Sequence, residues 1–292
     1  MTPRLTLEHA HAPITKTFPG PPAEEERGLW RLAPEQVAAF ERDGFLDERP
    51  LLDAGQVDAL RGALEEVGRD LEALAPDLYE VEADWLQRPD EVVLHFLGGW
   101  RVDERLHDLL FHPGITVPAA QLLGVDRLRF WHDQVFWKPA GHPGVVPWHQ
   151  DYSYWTRTAP ARHVTAFVAL DDMTAANGGL QYVPGSHRWP LAPAVAFGGA
   201  RDALLEHLGP SERAAFRPRG ARIAAGQVGF HHSHLVHGSG GNETNGPRRA
   251  IVLNFMAPDT RAVVGGEPLL SGTPAFEEGA VVDGPFHPLV LG

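Results

Sequence analysis

The chain has 292 residues, 43% hydrophobic and 22% charged, enough to bury a core in one large domain or two small ones. Its 25 Lys and Arg against 38 Asp and Glu leave a net charge of −13, the wrong sign for binding a nucleic-acid backbone or an anionic membrane surface. With no cysteine, disulfides, thiolate nucleophiles, Cys-ligated zinc and iron–sulfur clusters are excluded, and catalysis must draw on oxygen and nitrogen donors.

Residues 1–28 mix Pro, Gly, Thr and the Glu24-Glu25-Glu26 run without an apolar period, which predicts a mobile N-terminal tail. No signal-peptide core and no run near the ~20 apolar residues of a membrane helix is visible, so a cytoplasmic location is expected. Arg4-Leu5 ahead of His11-Ala12 fits a degenerate peroxisomal-import pattern that chance supplies easily. A first helix is expected from Pro34 through Val37 and Phe40 to a stop at Gly44. A second follows Asp53, a cap for Gln56, with Leu60, Leu64, Val67, Leu71 and Leu74 along one stripe. A short helix through Ala119, Ala120, Leu122 and Leu123 ends at Gly124. Strand-like runs then cover 128–137, 163–170, 180–183, 227–237 and 250–256, with no helices between them, which argues for an antiparallel sandwich or barrel. The Pro- and Arg-containing stretch 189–219 is too long for an ordinary connection and reads as a lid or binding loop.

Sixteen histidines is a high count, and seven are candidates: His132, His149, His163, His231, His232, His234 and His237. A lone histidine is more often a surface or satisfied core group than a ligand, so the pattern around it decides. In Pro147-Trp148-His149-Gln150-Asp151-Tyr152, His149 and Asp151 project from the same side of an extended chain and can grip one ion. Chance alone delivers about one His-x-Asp in such a composition, so a third ligand is needed. The run 231–237 offers four histidines, which along one strand face alternately opposite ways and cannot all reach one ion. Arg248 comes eleven residues after His237, across a Gly/Asn turn. An antiparallel return there would bring a cation near the metal. Two histidines and a carboxylate on one face of an ion leave the opposite positions open, the arrangement of non-heme Fe(II) oxygenases. A bidentate 2-oxo acid can take two of those positions and O2 the last, with Arg248 on the far carboxylate.

These residues resemble the phytanoyl-CoA dioxygenase family of Fe(II)/2-oxoglutarate-dependent oxygenases. The resemblance rests on His149-Gln150-Asp151, Leu170-Asp171-Asp172 with Asn177-Gly178, Val183-Pro184-Gly185-Ser186-His187, and His237-Gly238-Ser239 with Asn242 and Arg248. It implies a mainly β fold with flanking α-helices, a double-stranded β-helix or cupin-like jelly-roll barrel. The expected division is a tail at 1–28 and one catalytic domain at 29–292, with a helical preface to about 124, a jelly-roll core at about 125–258 and a C-terminal wrap from 259. It further implies Fe(II) on His149, Asp151 and His237, 2-oxoglutarate anchored by Arg248 and Ser239, and O2 as the other cosubstrate. Gln150 and Phe167 match cosubstrate-lining places, and counting back from Lys138-Pro139, strand alternation turns Gln134 inward as well. Arg249 is expected on the opposite face, solvated or touching the lid. His187 is read as a turn residue, and His231, His232 and His234 as packing groups or hydrogen-bond partners of ligands.

Trp131, Trp137, Trp148, Tyr152, Tyr154 and Trp155 crowd the segment around His149 and read equally as pocket wall or barrel filler. Trp148, Tyr152, Trp155 and Arg157 are the candidate substrate-pocket residues. The carboxylate at Asp151 points to hydroxylation or another oxidation rather than halogenation. Without a basic cradle for coenzyme A, a small organic substrate is expected, with no nucleic-acid or membrane partner and a monomer or weak dimer as the assembly. Two rivals stay open: a cupin-like protein holding redox-silent Zn(II) on the same donors, and a non-catalytic family member.

Overall fold

The computed structural model describes residues 7–292. Its helices are α1 (Pro34–Asp43), α2 (Ala54–Arg69), α3 (Leu71–Leu74), α4 (Ala83–Gln87), α5 (Glu104–Leu109), α6 (Pro113–Leu123) and α7 (Pro210–Ala215). Pro34 occupies the first turn of α1, and Gly44, at φ 85°, stops it by donating its N–H to Phe40 O. Asp53 caps α2 in a reciprocal capping box with Gln56. The apolar stripe read as one helix to Leu74 breaks at Asp70, whose backbone leaves the helical region between α2 and α3.

The strands are β1 (Phe45–Pro50), β2 (Glu80–Val81), β3 (Leu94–Leu97), β4 (Leu128–Lys138), β5 (Val146–His149), β6 (Thr158–Ala159), β7 (His163–Ala169), β8 (Leu180–Tyr182), β9 (Arg219–Gly220), β10 (Gln227–His232), β11 (His237–Ser239), β12 (Arg248–Met256), β13 (Arg261–Ala262) and β14 (Leu289–Leu291). A major antiparallel sheet runs β1-β10-β7-β12-β4-β3-β2, with β14 added on β4, and a minor sheet runs β5-β11-β8-β9. The two sheets face one another as a double-stranded β-helix with helices outside, the fold class expected from the sequence.

Alternation along the strands sorts their side chains. Ile251, Leu253 and Phe255 of β12 and Ala166 and Val168 of β7 join Leu60, Leu64, Leu106, Leu109 and Ile115 of the helices in the outer core. Ala250 and Val252 with Phe167 and Ala169 face inward, between the sheets, against Leu180 and Tyr182. Both faces of the major sheet are therefore buried, so its strands read as near-continuous apolar runs. Each fully buried Leu or Phe contributes about 1.5–3 kcal/mol.

Two expectations differ from what is found. The stretch 227–237 is not one strand: Leu235 donates its N–H to His232 O (2.8 Å), closing a turn that carries the chain from β10 in the major sheet to β11 in the minor one. Consequently the connection from β11 to Arg248 crosses between sheets rather than forming a hairpin. Residues 7–28 also lie against the domain. The N–H groups of Ile14 and Thr15 donate to Asp108 (2.8 and 2.6 Å), Phe18 is buried, and Glu8 pairs with buried Arg101 at 3.5 Å. Backbone-directed polar ties leave no apolar period for sequence reading to detect. Residues 1–6, with Arg4-Leu5, lie outside the described residues. No helix among the described residues is long and apolar enough to cross a membrane.

Candidate metal and cosubstrate site

β5 and β11 are antiparallel neighbours with His149 directly opposite His237, which sets the two imidazole centroids 4.1 Å apart. Asp151 follows where β5 gives way to a 3-10 turn (Asp151–Tyr154), swinging its carboxylate back toward them. Asp151 Oδ1 lies 3.4 Å from His149 Nε2 and 3.5 Å from His237 Nε2. Ligands at right angles about 2.1 Å from one ion stand roughly 3 Å apart, so this spacing fits three donors on one face of a metal. Each ring also gives away its other nitrogen: Nδ1 of His149 donates to Pro147 O (2.8 Å) and Nδ1 of His237 to Leu235 O (2.9 Å). That fixes the tautomer with the Nε2 lone pair facing the site.

Asp151 is held for single-oxygen ligation. Its Oδ2 accepts from Thr165 Oγ1 (2.7 Å) and from His231 Nε2 (3.1 Å), leaving Oδ1 toward the two imidazoles. Burial would raise the carboxyl, but His237, His149 and His231 outweigh it and keep Asp151 well below the usual range. Burial, reinforced by His149 and opposed by Asp151, shifts the His237 imidazole well below its ordinary value, toward the neutral form a ligand needs.

At the other end of the same space Arg248 opens β12 in register with Lys138, the last residue of β4, so both side chains point between the sheets. Lys138 is 0% and Arg248 2% exposed. Lys138 Nζ donates to Ser239 Oγ (2.8 Å) and to Gly240 O, while Arg248 donates to Gly178 O (2.8 Å) and Ser239 Oγ (3.5 Å). These partners are neutral oxygens, and Arg248 Nε has none. Burial pushes Arg248 down to about 10, and burial, Arg248 and Arg201 push Lys138 below its usual value. Two buried cations facing neutral oxygens are costly unless an anion joins them. A cavity walled by Phe136, Val146, Phe167, Leu180 and Val252 links Arg248 and Ser239 to the triad. One end suits a metal and the other a carboxylate.

Residues 40–250 match the sequence model of the phytanoyl-CoA dioxygenase family. The chain belongs to that family. It is 27% identical to the ectoine dioxygenase of Nocardia farcinica over 82% of each chain. It is 28% identical to the L-proline trans-4-hydroxylase of Streptomyces griseoviridis over 73% of this chain and 82% of that one. Among solved structures it resembles the epimerase SnoN in complex with Fe3+, alpha ketoglutarate and nogalamycin RO, at TM-score 0.69 and 25% identity over 88% of this chain and 97% of that one. This member of the phytanoyl-CoA dioxygenase family is an Fe(II)- and 2-oxoglutarate-dependent oxygenase using O2.

The structure brings His149, Asp151, His237, Arg248, Ser239, Phe167 and Gln134 together around one cavity. Gln150 is not among them. Alternation points it away, and its amide accepts from Ala192 N–H (2.8 Å) and donates to His234 O (2.9 Å), riveting the 189–219 segment to the barrel. Trp148, on the same outward face, packs with Val183, Val195, Leu204 and Val236 beneath that segment, outside the substrate space. Tyr152 stacks on His234 (5.0 Å) and gives its hydroxyl to Thr158 O, so it too lies outside. Arg157 donates to Pro268 O and Leu269 O on the C-terminal segment. Of the four expected pocket residues only Trp155 lines a chamber beside the triad. Arg249 does face the other way, but it is buried in ion pairs with Asp171 (3.0 Å) and Glu65 (3.1 Å) rather than solvated.

Sequence reading did not assign Lys138, Thr165 or the particular role of His231. Lys138 left a signal, because the chain has only two lysines and this one closes an apolar, aromatic run. Thr165 left none. Thr165→Val keeps the shape and removes the hydroxyl that steers Asp151. Its Fe(II) dissociation constant, from anaerobic titration, is expected to rise about 10- to 100-fold with rescue by Thr165→Ser. Unchanged affinity would remove Thr165 from this role.

Proposed function

We propose that His149, Asp151 and His237 hold the Fe(II) of this oxygenase and that Arg248, Lys138 and Ser239 hold the distal carboxylate of 2-oxoglutarate, for oxidation, most simply hydroxylation, of a small organic molecule. One observation carries the proposal: a single cavity with three metal donors at one end and, at the other, buried Arg248 bonded only to neutral oxygens, with buried Lys138 sharing its Ser239 Oγ. Bound there, iron couples decarboxylation of 2-oxoglutarate by O2, to succinate and CO2, to oxidation of the substrate.

The chain's own residues do the arranging. The backbone carbonyls of Pro147 and Leu235 orient the two imidazoles, while Thr165 and His231 turn one carboxylate oxygen of Asp151 toward the metal position. Arg248 and Lys138 fix the far end of the keto-diacid, so its oxo-acid end meets the donors in one orientation. Phe136, Phe167, Leu180 and Val252 keep water from the space between. Loading the chain anaerobically with Fe(II) and 2-oxoglutarate should give the weak visible charge-transfer band of that chelate, lost when Zn(II) replaces Fe(II). A colourless Fe(II) complex would overturn the assignment and favour a redox-silent site.

A further inference from the structure

The register of the major sheet lines up three buried polar residues on its inner face. Asn254 of β12 lies opposite His132 of β4 on one side and Thr165 of β7 on the other. None is more than 2% exposed, and the same face carries Phe167, Ala169, Ala250 and Val252 of the inner core. Thr165 Oγ1 stands 2.7 Å from Asp151 Oδ2 and 2.9 Å from the Asn254 amide oxygen, and the amide nitrogen stands 3.3 Å from His132 Nδ1. In that arrangement the protons do not balance. Thr165 has one hydroxyl proton, which the Asp151 carboxylate takes because the charge-assisted bond is the stronger, so none is left for a second acceptor. His132 Nδ1 also faces Asp133 O (3.3 Å), which only accepts, so Nδ1 carries a proton and has no lone pair for an amide N–H. Burial pushes this ring down to about 4, so at pH 7 it is neutral and that proton is its only one.

We infer that the Asn254 amide stands turned over, its oxygen accepting from His132 Nδ1 and its nitrogen donating to Thr165, and that His132 and Asn254 are positioning residues for the metal carboxylate. An amide keeps its shape when its ends are exchanged, so the balance of bonds decides which end faces which partner. Turned over, each proton has an acceptor: His132 donates to Asn254, Asn254 to Thr165, and Thr165 to Asp151 Oδ2. The direction matters at the hydroxyl. A threonine O–H turns to suit any acceptor, but one whose lone pair already receives the Asn254 N–H is held with its proton toward Asp151. Oδ1 is thereby kept for the metal position. His132 also lines the chamber beside the triad, so the chain of bonds runs from that chamber's wall to the carboxylate. The inference rests on Asp151 being a metal ligand.

The proton positions are tested in the unmodified, metal-free chain at pH 7 by nitrogen NMR of its histidines, which separates the two neutral tautomers. His132 is expected in the Nδ1–H form, and an Nε2–H ring overturns the chain of bonds. Anaerobic Fe(II) titration tests its use. Asn254→Leu removes the amide at similar volume and should raise the Fe(II) dissociation constant about 3- to 10-fold. In a chain already carrying Thr165→Val the same change should add less than about twofold, because the lost bond acts only through that hydroxyl. His132→Phe should weaken Fe(II) binding in the same way, and His132→Asn, whose amide nitrogen takes the place of Nδ1, should restore it. An Asn254→Leu loss that adds in full to that of Thr165→Val marks a packing defect and overturns the positioning role, as does unchanged affinity in Asn254→Leu and His132→Phe. Should Asn254→Leu not fold, the tautomer and the two His132 variants decide. Failure of the unmodified chain to bind Fe(II) would refute the metal site, whereas equal binding by the unmodified chain and the variants removes this inference alone.

Discussion

Arg248→Ala is expected to raise the dissociation constant of 2-oxoglutarate by about two to four orders of magnitude. The guanidinium is buried, and a carboxylate bound to it gains two parallel charge-assisted hydrogen bonds at roughly 1.5–3 kcal/mol each. Each ~1.4 kcal/mol is a factor of ten. Lys138→Met should cost less, about one to two orders, because the ammonium acts as a point charge without the planar fork. The two losses are not expected to add, since both cations share Ser239 Oγ. Lys138 also gives the affinity a sign with pH. Burial and its cationic neighbours lower its pKa in the empty site, and a dicarboxylate opposite it raises the pKa again. Binding is therefore full strength below the empty-site pKa and weakens as pH rises above it, with proton uptake that depends on buffer ionisation and vanishes in Lys138→Met. Calorimetry in two buffers measures both quantities. An unchanged affinity in Arg248→Ala would show that the cosubstrate lies elsewhere.

Asp151→Ala is expected to abolish succinate formation, by about 10³-fold or more, because it removes one of three metal donors and the only anionic one. The same change leaves His149, His237 and His231 facing one another without the carboxylate that Thr165 and His231 had oriented. Fe(II) binding and the visible band should therefore fall together with turnover, while the outer core, packed on the far side of the major sheet, keeps the chain folded. Circular dichroism separates these outcomes, and retained turnover in a folded variant would remove Asp151 from the triad.

Much of this site was legible in the sequence because it is short-range. His149 and Asp151 are two residues apart, and Ser239 and Arg248 follow His237 by two and eleven. Pro34, Gly44, Asp53 and Gln56 likewise mark helix ends through bonds to their immediate neighbours. The double-stranded β-helix followed from the motif order. Side-chain direction is another matter, since it depends on where each strand stops and what covers its face. Gln150 lies between two ligands and yet points out, because alternation turns it to the 189–219 segment and its amide is consumed there. His231 and His237 both reach Asp151 because a turn, not a continuous strand, separates them. Lys138 meets Ser239 across 101 positions, and Thr165 meets Asp151 only because β7 lies in the sheet opposite β5. By itself, then, the sequence determined which donor atoms exist and the local bonds that aim them. Only the packing of two sheets face to face decided which distant groups steer those donors, because such contacts depend on register and burial that no local spacing encodes.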